Sequence, residues 1–186
     1  MTLNPYAPPR AAVADILPPE DVTTDPPFFA VSMTKLLVMD IVTFNLYEIY
    51  WFYKHWQRIA EREREPLWPL ARAIFAVFYC YPLFARVRDH ERAGEVGSQL
   101  YALPLAAAFI VSTLTWRLPD PYDWISLAAF VFTLPVQHYA NRLNGLTTPS
   151  HDRNARFTAW NWVGILVGGP LFLLGVAVAL FGEPVP

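Results

Sequence analysis

Charged residues thin out along the chain in a few long apolar stretches, and these set the first expectations. Residues 157–182 contain no Asp, Glu, Lys or Arg. An α-helix rises about 1.5 Å per residue, so about 20 apolar residues cross the hydrocarbon of a bilayer. Residues 100–116 and 124–140 are also free of those four residue types, and with their flanks they reach a similar length. The link between them, "LPDPYD" at 118–123, carries two prolines and predicts a tight connection between antiparallel helices. Backbone amides inside lipid must bond within their own segment, so all three stretches are predicted as helices. Two earlier stretches are less clean. Residues 36–53 include Asp40, Asn45 and Glu48, and residues 67–85 include Arg72, with Pro69 and Pro82 near the ends.

Basic residues between the stretches suggest how they are threaded. Arg86, Arg88 and Arg92 follow the second stretch, Arg117 alone follows the third, Arg142, Arg153 and Arg156 follow the fourth, and the C-terminal tail has none. Cytoplasmic loops carry the excess of Lys and Arg, which puts 86–99 and 141–156 inside and the C-terminus outside. Residues 54–66, with Lys54, Arg58, Arg62 and Arg64, belong inside as well, so both ends of 67–85 face the cytoplasm. The expected architecture is all-α and polytopic: four spans plus one in-plane or re-entrant segment at 67–85, with the N-terminus outside. The alternative has five spans and the N-terminus inside, and leaves one basic loop on the wrong side. Residues 1–27 hold seven prolines and are expected to form a disordered Pro-rich tail. Residues 28–182 form the helical transmembrane domain, and 183–186 a short tail.

Composition strengthens this picture. Hydrophobic residues make up 54% of the chain and charged ones 16%, where about 25% charged is usual for globular proteins. That is little charge to coat a water-facing surface. A net charge of −2 without a basic stripe argues against nucleic acid as a partner. Cys80 is the lone cysteine, which removes intrachain disulfides and cysteine-based metal sites. No cofactor is expected. The first residues show neither an apolar core nor a cleavage site, so internal segments are expected to drive insertion. The expected location is an inner membrane, multi-pass, with the lipid bilayer as partner and a membrane protein or a second copy of the chain as a further one.

The stretch "TFNLYEIYWFYKHWQRI" at 43–59 concentrates rings and charges. On a helix, Tyr47, Tyr50, Trp51, Lys54 and Arg58 share a face running from aromatic to cationic. With Tyr53, they are expected to anchor a helix where it leaves a membrane, rings at headgroup level and charges in water. This stretch, with "LWPLARAIFAVFYCYPLFARV" further on, resembles a group of uncharacterised bacterial integral membrane proteins sharing a Thr-x-Gly-x-Tyr-x-x-Tyr-Trp-x-Tyr-Lys-type motif. The matching positions are Thr43, Tyr47, Tyr50, Trp51, Tyr53 and Lys54. Asn45 stands where the group often has Gly, and Asn tolerates the left-handed conformation better than most residues, so a local helix break can persist. The resemblance covers roughly residues 28–90; it implies a bacterial membrane protein and carries no catalytic residues.

Asp40, Glu48 and Arg72 are the anomalies. A charge at mid-bilayer costs at least about 2.5–3.5 kcal/mol and needs a partner, a wet cavity or neutralisation. The acids lie eight residues apart, two turns of a continuous helix, and Arg72 is positioned to pair with one if the segments pack. A structural ion pair and a polar lining for an ion or proton pathway are both consistent with that pattern. The histidines, His55, His90, His138 and His151, lack metal-ligand spacing, so no metal site is expected. His138, Asn141 and Asn144 fit a polar cap ending their span. Gly164 and Gly168 form a small-xxx-small pair, which Gly175 extends, expected to let helices pack closely. No nucleophile is matched to a base, so an enzyme is not expected. The pattern fits a non-enzymatic scaffold or accessory subunit; the alternative is a small transporter or channel component using Asp40, Glu48 and Arg72.

Overall fold

A computed structural model describes residues 25–119 and 122–181. Of the expected tails at 1–27 and 183–186, residues 1–24 and 183–186 lie outside the described residues. The described chain is helical, without a strand. Its helices are α1 (Met33–Val42), α2 (Leu46–Glu63), α3 (Pro69–Ile74), α4 (Ala76–Arg88), α5 (Ala102–Leu114), α6 (Leu134–Thr147) and α7 (Ala159–Phe181), with a 3-10 segment at Tyr122–Phe132 leading into α6.

The bundle has two distinct ends, and contacts between remote residues define them. At one end, Arg58 on α2 pairs with Asp25 at 2.7 Å, and Arg62 reaches the Pro27 carbonyl at 3.5 Å. The far end of α2 therefore lies beside the chain that leads into α1, and α1 and α2 form a hairpin. Arg86 at the end of α4 bonds Glu63 at 3.1 Å and Glu65 at 3.6 Å, both of which precede α3. The α3–α4 unit is thus a second hairpin with both ends at this same end. Tyr139 donates to the Ala93 carbonyl and Arg92 to that of Leu146, so α6 finishes here and α5 starts here. Nearly all the loop arginines gather at this basic end. The opposite end holds Trp116, Asp123 and Trp124, which line a common cavity.

Two expectations change. Residues 36–53 do not run as one continuous helix: the chain breaks at Thr43–Asn45 and doubles back. The N-terminal segment consequently sits at the basic end with 54–66, where four spans would have placed it at the other. Residues 26–31, assigned in part to a disordered tail, are buried.

A ladder of side-chain amides holds that buried segment. Asn144 on α6 both accepts from the Phe28 N–H and donates to the Phe28 carbonyl. Gln137 donates to the Phe29 carbonyl and Asn141 to that of Val31. An extended segment inside a helical bundle has no ladder of its own, and an unpaired buried amide costs about 1–3 kcal/mol. These side chains supply the missing partners.

The core is built on α2, where Tyr47, Glu48, Trp51, Phe52, His55, Trp56 and Ile59 are buried. Their alternating one- and three-residue steps trace a single helix face. Trp51 and Tyr47 therefore anchor the protein interior, not an outer belt: Trp51 is fully buried and Tyr47 nearly so. Tyr50 is exposed and Tyr53 and Lys54 half-exposed, which leaves those three free to meet solvent or lipid.

Helix α7 stands apart. Within it, Ala159–Ala179 is the one helix among the described residues long and apolar enough to cross a membrane, with mean hydropathy 2.2 and none of the segment buried. It packs parallel to α1. Gly164 faces Met39 and Thr43, Gly168 lies against the Val42 backbone, and Phe172 meets Phe44. At its base, buried Lys35 ties the preceding loop down by donating to Asn154 Oδ1 at 2.8 Å and the Arg156 carbonyl at 2.9 Å. A Cβ at Gly175 would meet only open space, so the third glycine of the pattern takes no part in this packing.

Candidate functional site

The tip of the α1–α2 hairpin is where sequence and geometry converge. Helix α1 ends in a Schellman motif: the Phe44 N–H bonds the Ile41 carbonyl and the Asn45 N–H bonds that of Asp40. Phe44 and Asn45 are both left-handed, with φ of 52° and 66°. Such backbone suits Asn and costs an ordinary residue like Phe roughly 1–2 kcal/mol. Thr43 closes the motif and starts α2, its hydroxyl donating to the Met39 carbonyl at 2.7 Å and accepting from the Tyr47 N–H at 3.0 Å. Asn45 Nδ2 donates to the Ser126 carbonyl at 3.1 Å, fastening the tip to the 3-10 segment. Thr43 and Asn45, with the Tyr47 N–H, thus have one mechanical role, which is to reverse the chain.

This reversal places one acid on each side of the break. Asp40 lies in the last turn of α1 and Glu48 in the first turn of α2. Asp40 is 0% exposed and Glu48 7%. Neither carboxylate oxygen of Asp40 has a hydrogen-bond partner, and Oε1 of Glu48 has none. Two cavities flank Asn45. One, of about 300 Å³, is lined by Asp40 and the rings of Phe44, Trp124, Phe130 and Phe172. The other, of about 190 Å³, is lined by Glu48, Phe52, Phe109, Thr113 and Ser126. A third, about 370 Å³, holds Asp123 with Trp116 and shares Trp124 and Leu127 with the first and Ser126 with the second. Polar groups are therefore spaced from the end opposite the basic loops towards the middle of the bundle.

Arg72 is not among them. Its guanidinium lies over Trp56 at 4.4 Å and Tyr79 at 5.2 Å, and it forms no ion pair with Asp40 or Glu48. The pairing that the sequence allowed is not made, because α3 meets α2 beside Trp56, two turns beyond Glu48. An unpaired carboxylate at such depth is offset only by a proton or a cation beside it.

On the basic side of the acids the interior is polar and nearly saturated. Trp51 Nε1 and His55 Nε2 both donate to Gln137 Oε1, at 2.6 and 3.0 Å. Gln137 Nε2 is spent on Phe29 and Asn141. His55 Nδ1 is left buried without a partner. The amides at 137, 141 and 144 share a face of α6; Asn141 and Asn144 were singled out in the sequence, but with His138 in place of Gln137, and their backbone partners were not visible there. His138 is exposed, while His151 bonds the Thr148 carbonyl. Among the described residues, no three His, Cys, Asp or Glu side chains converge to hold a metal. Comparison with protein-family models, curated proteins and solved structures found no match to this chain.

Proposed function

We propose that the chain is a small polytopic membrane protein working as a proton- or cation-coupled transport component. In this reading 102–117, 122–147 and 159–181 cross the bilayer, while hairpins 33–63 and 69–88 enter and return from one side. The basic end is cytoplasmic by the bias of Lys and Arg, so the N-terminal segment is inside and the C-terminus outside. The inner membrane of a bacterium is the setting that the motif around 43–54 suggests. Broken helices that bring polar groups to mid-membrane are tolerated where they line protein or a cavity, and there they build substrate sites.

The observation that carries this reading is Asp40: fully buried at the hairpin tip, with both oxygens unpartnered. The arginine that the sequence offered as its structural partner, Arg72, is engaged elsewhere. An accessory-subunit role draws support from α7, which packs chiefly on α1 and leaves most of its surface to lipid or a partner helix.

Proteoliposomes holding a pH-sensitive dye test the proposal. Under an imposed voltage the wild type moves protons or a cation, and Asp40→Asn and Glu48→Gln abolish the flux while melting like wild type. Flux unchanged by both substitutions dismisses it. Single cysteines at residues 60 and 94 should react from one side of the membrane and one at residue 118 from the other.

A further inference from the structure

We propose that residues 25–31 form a strap that gates the basic end of the bundle, seated while His90 is neutral and released when His90 takes up a proton. That the strap gates a pathway rests on the transport reading above; that it is held and released in this way does not. How the segment is held makes it separable. Residues 26–31 are buried, yet among the described residues every hydrogen bond to their backbone comes from a side chain. Arg62 reaches Pro27, Asn144 holds Phe28, Gln137 holds Phe29 and Asn141 holds Val31. The strap can therefore leave without unwinding a helix, as a locally opening unit does.

Its rings cover the inner face of α2. Phe28 and Phe29 lie 6.2 and 6.0 Å from the His55 ring, and His55 has no exposed surface. Glu48 shares that buried face, about two turns deeper. Departure of the strap would uncover the row of His55, Gln137 and Trp51 that leads towards Glu48.

Phe28 also touches the switch. Its ring meets the Arg62 guanidinium at 4.9 Å and, edge to face, the His90 ring at 5.5 Å. His90 is half-buried and lines an open cavity of about 690 Å³ with Arg62, Glu63, Tyr81, Arg86, Asp89 and Glu91, so protons reach it from solution. His90 Nδ1 accepts the Arg92 N–H at 3.3 Å, a bond that a proton on that nitrogen breaks. The same proton would set a second cation beside Arg62. Glu63 already bonds Arg62 and Arg86, Asp89 bonds Arg88, and Arg92 bonds Glu95; Glu91 on its own loop opposes Arg62 and Arg92. Burial, and after it Arg62, hold the imidazole below its ordinary 6.5 while the strap is seated. Release lets it return towards that value and take up a proton, so release is favoured as pH falls below about 6.5.

Amide exchange of the full chain in detergent micelles, corrected for the intrinsic pH dependence of exchange, tests the switch. Residues 28–31 should exchange at least about tenfold faster than α5 at every pH, the mark of local release. Their protection should fall between about pH 7.5 and about pH 5.5, by up to about tenfold per pH unit for one proton. His90→Gln should remove that slope, and Asn144→Ala should leave the strap unprotected throughout. A wild-type strap that exchanges only together with α5, or whose protection ignores pH, overturns the proposal whether or not any variant folds. In proteoliposomes at equal driving force, flux should rise as pH falls on the basic side, and less so in His90→Gln. Flux that ignores that pH while the strap is released overturns the gate. Strap release without any flux would keep the switch and remove the transport reading; flux with a strap that ignores pH would do the opposite.

Discussion

Replacing Gly168 by alanine would put a methyl group onto the Val42 backbone. The added Cβ would lie 2.8 Å from the Val42 carbonyl carbon and closer still to its oxygen. Backbone cannot swing aside as a side chain can, so α7 would have to draw back from α1 by roughly 1–2 Å, and gaps of that size forfeit most of the dispersion at the contact. Overpacking of this kind costs about 1–3 kcal/mol. Alanine also gains about 1 kcal/mol in helix propensity over glycine, which masks part of the loss in any single measurement. Gly169→Ala removes that ambiguity, because a Cβ there meets nothing within 4 Å and it receives the same propensity gain. Between the two variants the propensity cancels, and the gap should equal the overpacking cost, about 1–3 kcal/mol. For a chain of this size that is a melting difference of about 2–12 °C, readable in detergent by tryptophan fluorescence, with Trp160 and Trp162 on α7 itself. Gly164→Ala should fall between them, since its Cβ meets the movable Met39 Cε at 3.3 Å. Equal melting of Gly168→Ala and Gly169→Ala would refute the close approach of α1 and α7.

Asn45→Gly should be tolerated, losing the Ser126 bond but keeping the left-handed turn, whereas Asn45→Val should destabilise by about 1–3 kcal/mol, with thermal melting as the check. Asn144→Ala strands the buried N–H and carbonyl of Phe28 and should cost about 2–5 kcal/mol; limited proteolysis should then cut near residues 25–31 in the variant before the wild type. Burial, and after it the Arg62 guanidinium, hold the His90 imidazole below its ordinary value of 6.5. The unfolded chain therefore binds a proton at higher pH than the folded one, and stability should fall as pH drops below about 6.5. His90→Gln should flatten that slope in melting curves collected between about pH 7 and pH 5.

How far the sequence foretold this varies by element for physical reasons. The helical class and α7 were legible because an uncharged run of that length has few other solutions. The return of 67–85 was legible from charge, since basic residues flank it on both sides and the ends do meet at Arg86, Glu63 and Glu65. The return of 36–53 was legible only in part: Asn45 marked a place where the helix could break, but the turn also relies on Phe44 holding a left-handed backbone, which the residue type argues against. Trp51 was misplaced because the aromatic-to-cationic face was the conspicuous one, while Glu48 and His55 interrupted the apolar stripe that is buried. The acids stood out from the start; that Arg72 stacks on Trp56 depended on where α3 lands, and short-range pattern carries no such information.

The hairpins also bear on how such a chain would be made. On the proposed topology, the segment 54–66, with Lys54, Arg58, Arg62, Arg64 and the glutamates between them, never passes through the bilayer. Apart from the residues past α7, only the link at 118–123 must be translocated. An insertion machine would thus be spared moving the most charged part of the sequence, and could seat both hairpins from the side on which the ribosome delivers them.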